Sequence, residues 1–242
     1  MNELFNNFGP LFRKCFIEYD MWRLYLKGLR NTVIIAVGAC LLGLIIGIIV
    51  ACIRIAPKKN PIIKVLDGIC RFYITIIRGT PVVLQLFLSY FGFLMFLRYV
   101  DLFGMKDTDA IFVAIITFGV NSGAYMAEIL RGGINAVDKG QMEAGRSLGL
   151  SWTRTFVKII LPQSLKSAIP TMFNEFITLI KETSVAGYVG ILDLTLIQSY
   201  VSFQTNEIFM PLLIIAAIYL TLVLILQQFQ KLIERRLARS ER

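Results

Sequence analysis

Five long apolar stretches, separated by short polar segments rich in glycine and proline, set the pattern of this 242-residue chain. Thr32 to Ile53 runs 22 residues without a charge, and at ~1.5 Å per residue a helix of that length crosses a hydrocarbon core of ~30 Å. Ala110 to Ala127, Phe156 to Ile180 and Ile208 to Leu226 predict three more spans. The remaining stretch, Ile62 to Leu97, is interrupted by Arg71 and then by Arg78-Gly79-Thr80-Pro81. That predicts a helix broken within or near the bilayer, which is tolerated only where the freed backbone faces protein or a water-filled cavity. Ahead of the spans, Leu11 to Leu26 places Leu11, Phe12, Cys15, Phe16, Tyr19 and Trp22 at helical spacing among charged residues. This is the pattern of an amphipathic helix lying in the interface, and the apolar core comes too late for a cleaved leader. Gly43 and Gly47 form a G-x-x-x-G pair on which another helix can approach closely.

Composition confirms the solvent. A chain that is 56% hydrophobic and 17% charged departs from soluble domains toward the bilayer. Five spans place the termini on opposite sides, and charge chooses between the two orientations. The turn Arg54 to Lys64, the segment Arg131 to Lys158 and the tail from Lys231 hold 14 Lys and Arg, against 8 in the N-terminal stretch, Arg98 to Lys106 and Lys181. The C-terminus is therefore expected in the cytoplasm and the N-terminus outside. The same positions account for the net charge of +9 through lipid and the insertion machinery rather than nucleic acid. The absence of histidine removes the commonest general base and metal ligand. No G-x-x-x-x-G-K-[ST] loop is present, so any ATP hydrolysis must come from another polypeptide. Cys15, Cys40, Cys52 and Cys70 lack metal-binding spacing and read as small hydrophobes. Neither metal, cofactor nor disulfide is expected, and the chain is not expected to be an enzyme.

The segment Gln141 to Pro162 is the most structured of the polar connections. Lys139 to Gly149 suits a short helix, Gly149 can end it in a left-handed conformation, and Ser151 can cap the next turn. The result is an elbow of two helices. Glu143-Ala144, Gly149 and Ile159-x-Leu161-Pro162 resemble the "EAA" loop by which the membrane subunits of ABC importers dock on their ATPases. Gly145 stands where a second Ala is usual, at a cost of roughly 1 kcal/mol in helix propensity. Gly145-Arg-Ser147-Leu-Gly149 also fits a hydrolase nucleophile elbow, but the chain has no histidine to partner it.

Ionisable groups at membrane depth need a path to water or a function. Glu128 and Arg131, three apart, suit a local ion pair, and Glu175 fits either a buried helix contact or a functional group. Arg78 differs, because its planar five-donor fork beside Gly79 and Pro81 matches a carboxylate bidentately. It suits equally a staple on the carbonyls freed at the break.

Three motifs, Ile77-Arg-Gly-Thr-Pro81 with Gln85, Asn121-Ser-Gly-Ala-Tyr125-Met-Ala-Glu128-Ile-Leu-Arg131-Gly, and Ile180-Lys-Glu-Thr-Ser184, resemble the membrane subunits of polar amino-acid ABC importers. The likeness to this histidine, glutamine, arginine and cystine uptake group covers roughly Leu29 to Gln230. It implies an all-α membrane protein with about five transmembrane helices in the type I ABC importer permease fold. The implied division is an interfacial segment over 1–28, a permease domain over 29–230 with its coupling loop at 138–162, and a basic tail over 231–242. Implied partners are an ABC ATPase dimer, an extracellular or periplasmic solute-binding protein, a second permease subunit and membrane lipid. Substrate contact falls to Arg78, Thr80, Gln85, Asn121, Tyr125, Glu182 and Thr183, and ATPase coupling to Glu143, Ala144, Gly145, Gly149, Leu161 and Pro162. Lys181-Glu182 also reads as an interfacial ion pair. The competing class is an ATP-independent secondary transporter or channel for small polar solutes, and the elbow argues against it.

Overall fold

The computed structural model describes residues 8–94 and 109–239. The end of the second apolar stretch, from Met95 to Leu97, and the segment Arg98 to Lys106 lie outside the described residues. Among those described, every regular element is helical: α1 (Phe8–Phe12), α2 (Met21–Ile55), α3 (Pro61–Gly79), α4 (Val82–Phe87), α5 (Asp109–Asn135), α6 (Lys139–Ser147), α7 (Trp152–Thr155), α8 (Leu161–Glu182), α9 (Leu194–Thr205) and α10 (Phe209–Arg239). Among the described residues three helices are long and apolar enough to cross a bilayer, or up to five if each of two bent pairs, broken between α3 and α4 and between α8 and α9, is one span.

The amphipathic segment is not one helix through Leu26. Tyr19 and Asp20 both take positive φ (52° and 56°), and α2 begins immediately after them at Met21. The helix that carries the first span therefore starts at Met21. The kink has a packing cause: Cys15, Met21 and Tyr25 all bury against Leu194, Ile197, Val201 and Met210 of α9 and α10. A straight helix would carry Cys15 away from that cluster, so tertiary burial overrides the local periodicity.

Helices α2 and α5 form the centre of the molecule, and small residues set their separation. A Cβ added to Gly47 would lie 2.5 Å from Met126 Cβ, and one on Gly43 would lie 3.0 Å from Ser122 Cβ. Gly119 and Gly123 make the reciprocal approach under Leu42 and Ile46. Four glycines thus bring two backbones into contact, a mode of association suited to lipid, where packing rather than water expulsion holds helices together. The outer face of α2, with Leu41, Ile45 and Ile49, stays exposed as a surface for acyl chains.

The ends are sorted by charge. Arg54, at the end of α2, pairs with Glu128 of α5, placing the turn after Ile55 beside the end of α5 that leads into α6. Gln230 of α10 reaches the Pro170 carbonyl of α8, so the last turns of α10 head toward the same end. At the opposite end, Lys14 pairs with Glu207 at 3.2 Å and Asn31 Nδ2 donates to the Leu192 carbonyl. The three basic segments counted in the sequence share one end.

Candidate functional site

The break between α3 and α4 turns the chain by 106°. Thr80 is extended (φ −120°, ψ 145°), as the residue before a proline prefers, and Pro81 starts the next helix. The carbonyls freed here need donors. Gln85 supplies them: its amide Nε2 donates to Ile77 O at 2.8 Å, to Thr80 Oγ1 at 2.8 Å and to Thr80 O at 3.2 Å. Asn121 of α5 then donates to Gln85 Oε1 at 2.9 Å, locking the break to the central helix. Leu86, fully buried among Ile35, Ala114, Phe118 and Leu179, anchors α4 from below. A cavity of ≈ 310 Å³ opens beside the staple, with Thr80, Gln85, Ser89 and Thr117 as its polar lining.

The staple is therefore Gln85, and Arg78 is released from that duty. Its guanidinium lies 4.9 Å from the centroid of the Tyr125 ring, one turn along α5 from Asn121. The contact of Arg78 is with that ring, and the carboxylates of Glu128 and Glu175 lie within Coulombic reach of it. Five residues expected to touch substrate, Arg78, Thr80, Gln85, Asn121 and Tyr125, are thus brought together along one face of α5.

The two remaining candidates are not joined to them. Thr183 is fully buried and donates its hydroxyl to Ile180 O at 2.7 Å, and Glu182 stands beside it at the end of α8, half-buried, with Lys181 as its nearest cation. Two turns earlier, Glu175 accepts from Ser122 Oγ at 3.1 Å and lies within Coulombic reach of both Glu182 and Arg78. Glu175 is the carboxylate that faces the centre of the molecule. Sequence spacing alone did not separate it from an ordinary helix contact, although its neighbour across the gap, Ser122, sits inside the Asn121 motif.

At the basic end, Glu128 and Arg131 form the local pair expected of them, with Nη2 to Oε2 at 2.6 Å, and Arg54 joins them. Asp67, within the apolar run of α3, collects Lys58 at 2.5 Å and Arg71 at 3.0 Å, with Arg54 Nε 3.8 Å away. Its spacing of four from Arg71 was the available signal. This network joins α2, α3 and α5.

The elbow beyond it is a pair of short helices. Asp138 caps α6, accepting from Gly140 N at 2.6 Å. The helix closes with Leu150 N donating to Gly145 O and Gly149 N donating to Arg146 O, and Gly149 sits at φ +80°. That is the left-handed termination glycine favours. Ser151 caps α7 by accepting from Arg154 N. Gly145 is buried, and a Cβ there would meet Thr155 Cγ2 at 2.5 Å. The propensity lost at Gly145 is offset by closure of the elbow, since α6 and α7 touch where the methyl of an alanine would stand. Glu143 and Ala144 are exposed beside Leu148, itself 81% exposed, while Leu161 is half-buried and Pro162 lies exposed on the first turn of α8.

The chain is similar to known proteins over most of its length. The sequence profile of the family described as binding-protein-dependent transport system inner membrane component matches residues 43–239. The arginine transport system permease protein ArtQ of Bacillus subtilis is 37% identical over 216 residues, 89% of this chain and 93% of its own. A solved amino acid ABC transporter with histidines superposes with a TM-score of 0.79 at 35% identity, covering 88% of this chain and 94% of the other. The inward-facing MetNI methionine ABC transporter shares the fold, with a TM-score of 0.72 at 19% identity over 91% of this chain and 99% of that one.

Proposed function

The chain belongs to the family of binding-protein-dependent transport system inner membrane components, and from that premise we propose that it lines the pathway of an ATP-driven importer of polar amino acids. As a permease subunit it is a multi-pass membrane protein, and family membership disfavours an ATP-independent channel or secondary transporter. A separate ATPase dimer docks on the elbow through Glu143, Ala144, Gly145, Gly149, Leu161 and Pro162. A solute-binding protein delivers substrate at the opposite end, and a second permease subunit closes the cavity on its open side. The basic end faces the cytoplasm and the N-terminus faces outward, following the charge rule.

The observation that carries substrate contact is Arg78. Its fork lies on the Tyr125 face beside the polar break with its N–H groups uncommitted, because Gln85 has taken the carbonyls. A zwitterion entering a low-dielectric cavity needs an opposite charge for its carboxylate, since an unpaired buried ion costs several kcal/mol. Arg78 reads that carboxylate. Asn121, Thr80 and Gln85 supply neutral partners, and Glu175, within Coulombic reach of both Arg78 and Glu182, supplies the acidic side for an ammonium or a cationic side chain.

The test is uptake by proteoliposomes holding the assembled transporter, with an amino acid and its decarboxylated analogue. The analogue loses most of its uptake in the parent and little more in Arg78→Gln. Equal proportional losses in both backgrounds would remove Arg78 from substrate reading, and uptake that persists without nucleotide would remove the importer reading itself.

A further inference from the structure

We infer that the hollow behind the elbow is a binding site for an acyl chain of an anionic phospholipid, with the headgroup held by basic residues at its mouth. This cavity of ≈ 490 Å³ is bounded by four elements: Ile48, Cys52 and Ile55 of α2, Ile134 of α5, Trp152 of α7 and Leu165 of α8. Its volume falls within the ~300–1,000 Å³ of small-molecule sites. The lining is almost entirely apolar, so a water inside would lack the two to four polar partners it needs. In a bilayer the solvent at hand is lipid, and a concave slot between helices holds one chain more firmly than the convex outer face of α2 does.

Charge selects the headgroup. Lys58 and Lys59 follow the lining residue Pro57 directly, and Lys158 stands three residues, one helical turn, before the lining residue Leu161. Lys58 is committed to Asp67, whereas Lys59 and Lys158 are exposed. Neither 52–60 nor 150–166 contains an acidic residue. Trp152 stacks on Phe156 at 5.2 Å and 5°, and an indole at such a rim suits headgroup depth. Basic pockets between helices at the cytoplasmic face take anionic headgroups. The chain would lie between the ends of α2 and α5 and the start of α8, so its presence sets how firmly the elbow is seated. This inference is independent of how the substrate is read.

Trp22 and Trp152 are the two tryptophans of the chain, and Trp22→Phe leaves Trp152 as sole reporter. The full-length variant is placed in phosphatidylcholine vesicles containing a minor fraction of brominated-chain phosphatidylglycerol or, in parallel, brominated-chain phosphatidylcholine. Bromine on the chain quenches indole on contact. Phosphatidylglycerol quenches Trp152 at a lower mole fraction than phosphatidylcholine, and Lys59→Gln and Lys158→Gln each weaken that preference about fivefold. Cys52→Phe, which fills the hollow, reduces quenching to that of surrounding lipid. Equal quenching by the two lipids, or none by either, overturns the site. So does an unchanged preference in Cys52→Phe, or loss of quenching when the ATPase is added, which would make the ATPase the occupant.

Discussion

Two bends of this molecule, the elbow and the break between α3 and α4, contain the same kind of residues and are held by opposite means. At the elbow a glycine is pressed between helices: Gly145 has Thr155 against it, and no side chain fits. At the break Gly79 meets nothing within 4 Å and has no positive φ. There the bend is kept by Pro81 and by the hydrogen bonds of Gln85 and Asn121. The elbow is a joint fixed by shape, the break a joint fixed by polarity. A joint fixed by shape passes force on to whatever it touches, whereas a polar one can exchange its partners with a passing solute.

The sharpest attempt to break that contrast is Gly145→Ala. Overpacking costs ~1–3 kcal/mol against the ~1 kcal/mol that alanine gains in propensity, so uptake falls, by up to about thirtyfold, while insertion is unchanged. Thr155→Ser removes the colliding methyl and keeps the hydroxyl that bonds Ser151 O, so the double variant recovers coupling. ATPase stimulation by loaded binding protein measures both, and failure of the rescue would show that shape is not the cause. Next in size, Gln85→Leu strands the Asn121 amide and the Ile77 carbonyl, each costing ~1–3 kcal/mol, and lowers both the unfolding temperature in detergent and uptake. A stable variant with normal uptake would mean the break does not depend on its staple. Gly149→Ala forces a left-handed alanine at roughly 1–2 kcal/mol, and Gly149→Asn costs less. The two are compared in the same stimulation assay, and identical losses would locate the defect elsewhere than φ. The smallest effect belongs to Gly79→Ala, expected within about 0.5 kcal/mol of the parent; a large loss would mean this glycine is needed in another state of the cycle.

Much of this was legible in the sequence because its signals are local. The break at Thr80-Pro81, the left-handed stop at Gly149 and the Ser151 cap each depend on residues within one turn, and their chemistry admits few alternatives. The Gly43 and Gly47 pair announced a close approach but not its partner, since which helix arrives is decided by contacts 76 residues away, at Gly119 and Gly123. The kink at Tyr19-Asp20 was invisible for the same reason: its cause is burial against α9 and α10. Gln85 was placed at the site by a motif, and only the fold showed that it bonds to the break and thereby leaves Arg78 unoccupied. Gly145 looked like a weakness because propensity is read along one helix and its benefit lies on another.

Helix α2 is 35 residues long, and its glycine crossing with α5 does not fall at its middle. From the level of Ile45, midway between Gly43 and Gly47, about 36 Å of helix extends toward Met21 and about 15 Å toward Ile55 at ~1.5 Å per residue. Were α2 to pivot about that contact, its Met21 end would sweep about 2.4 times the arc of its Ile55 end. On the importer reading, a small displacement delivered at the elbow would arrive enlarged at the opposite end of α2.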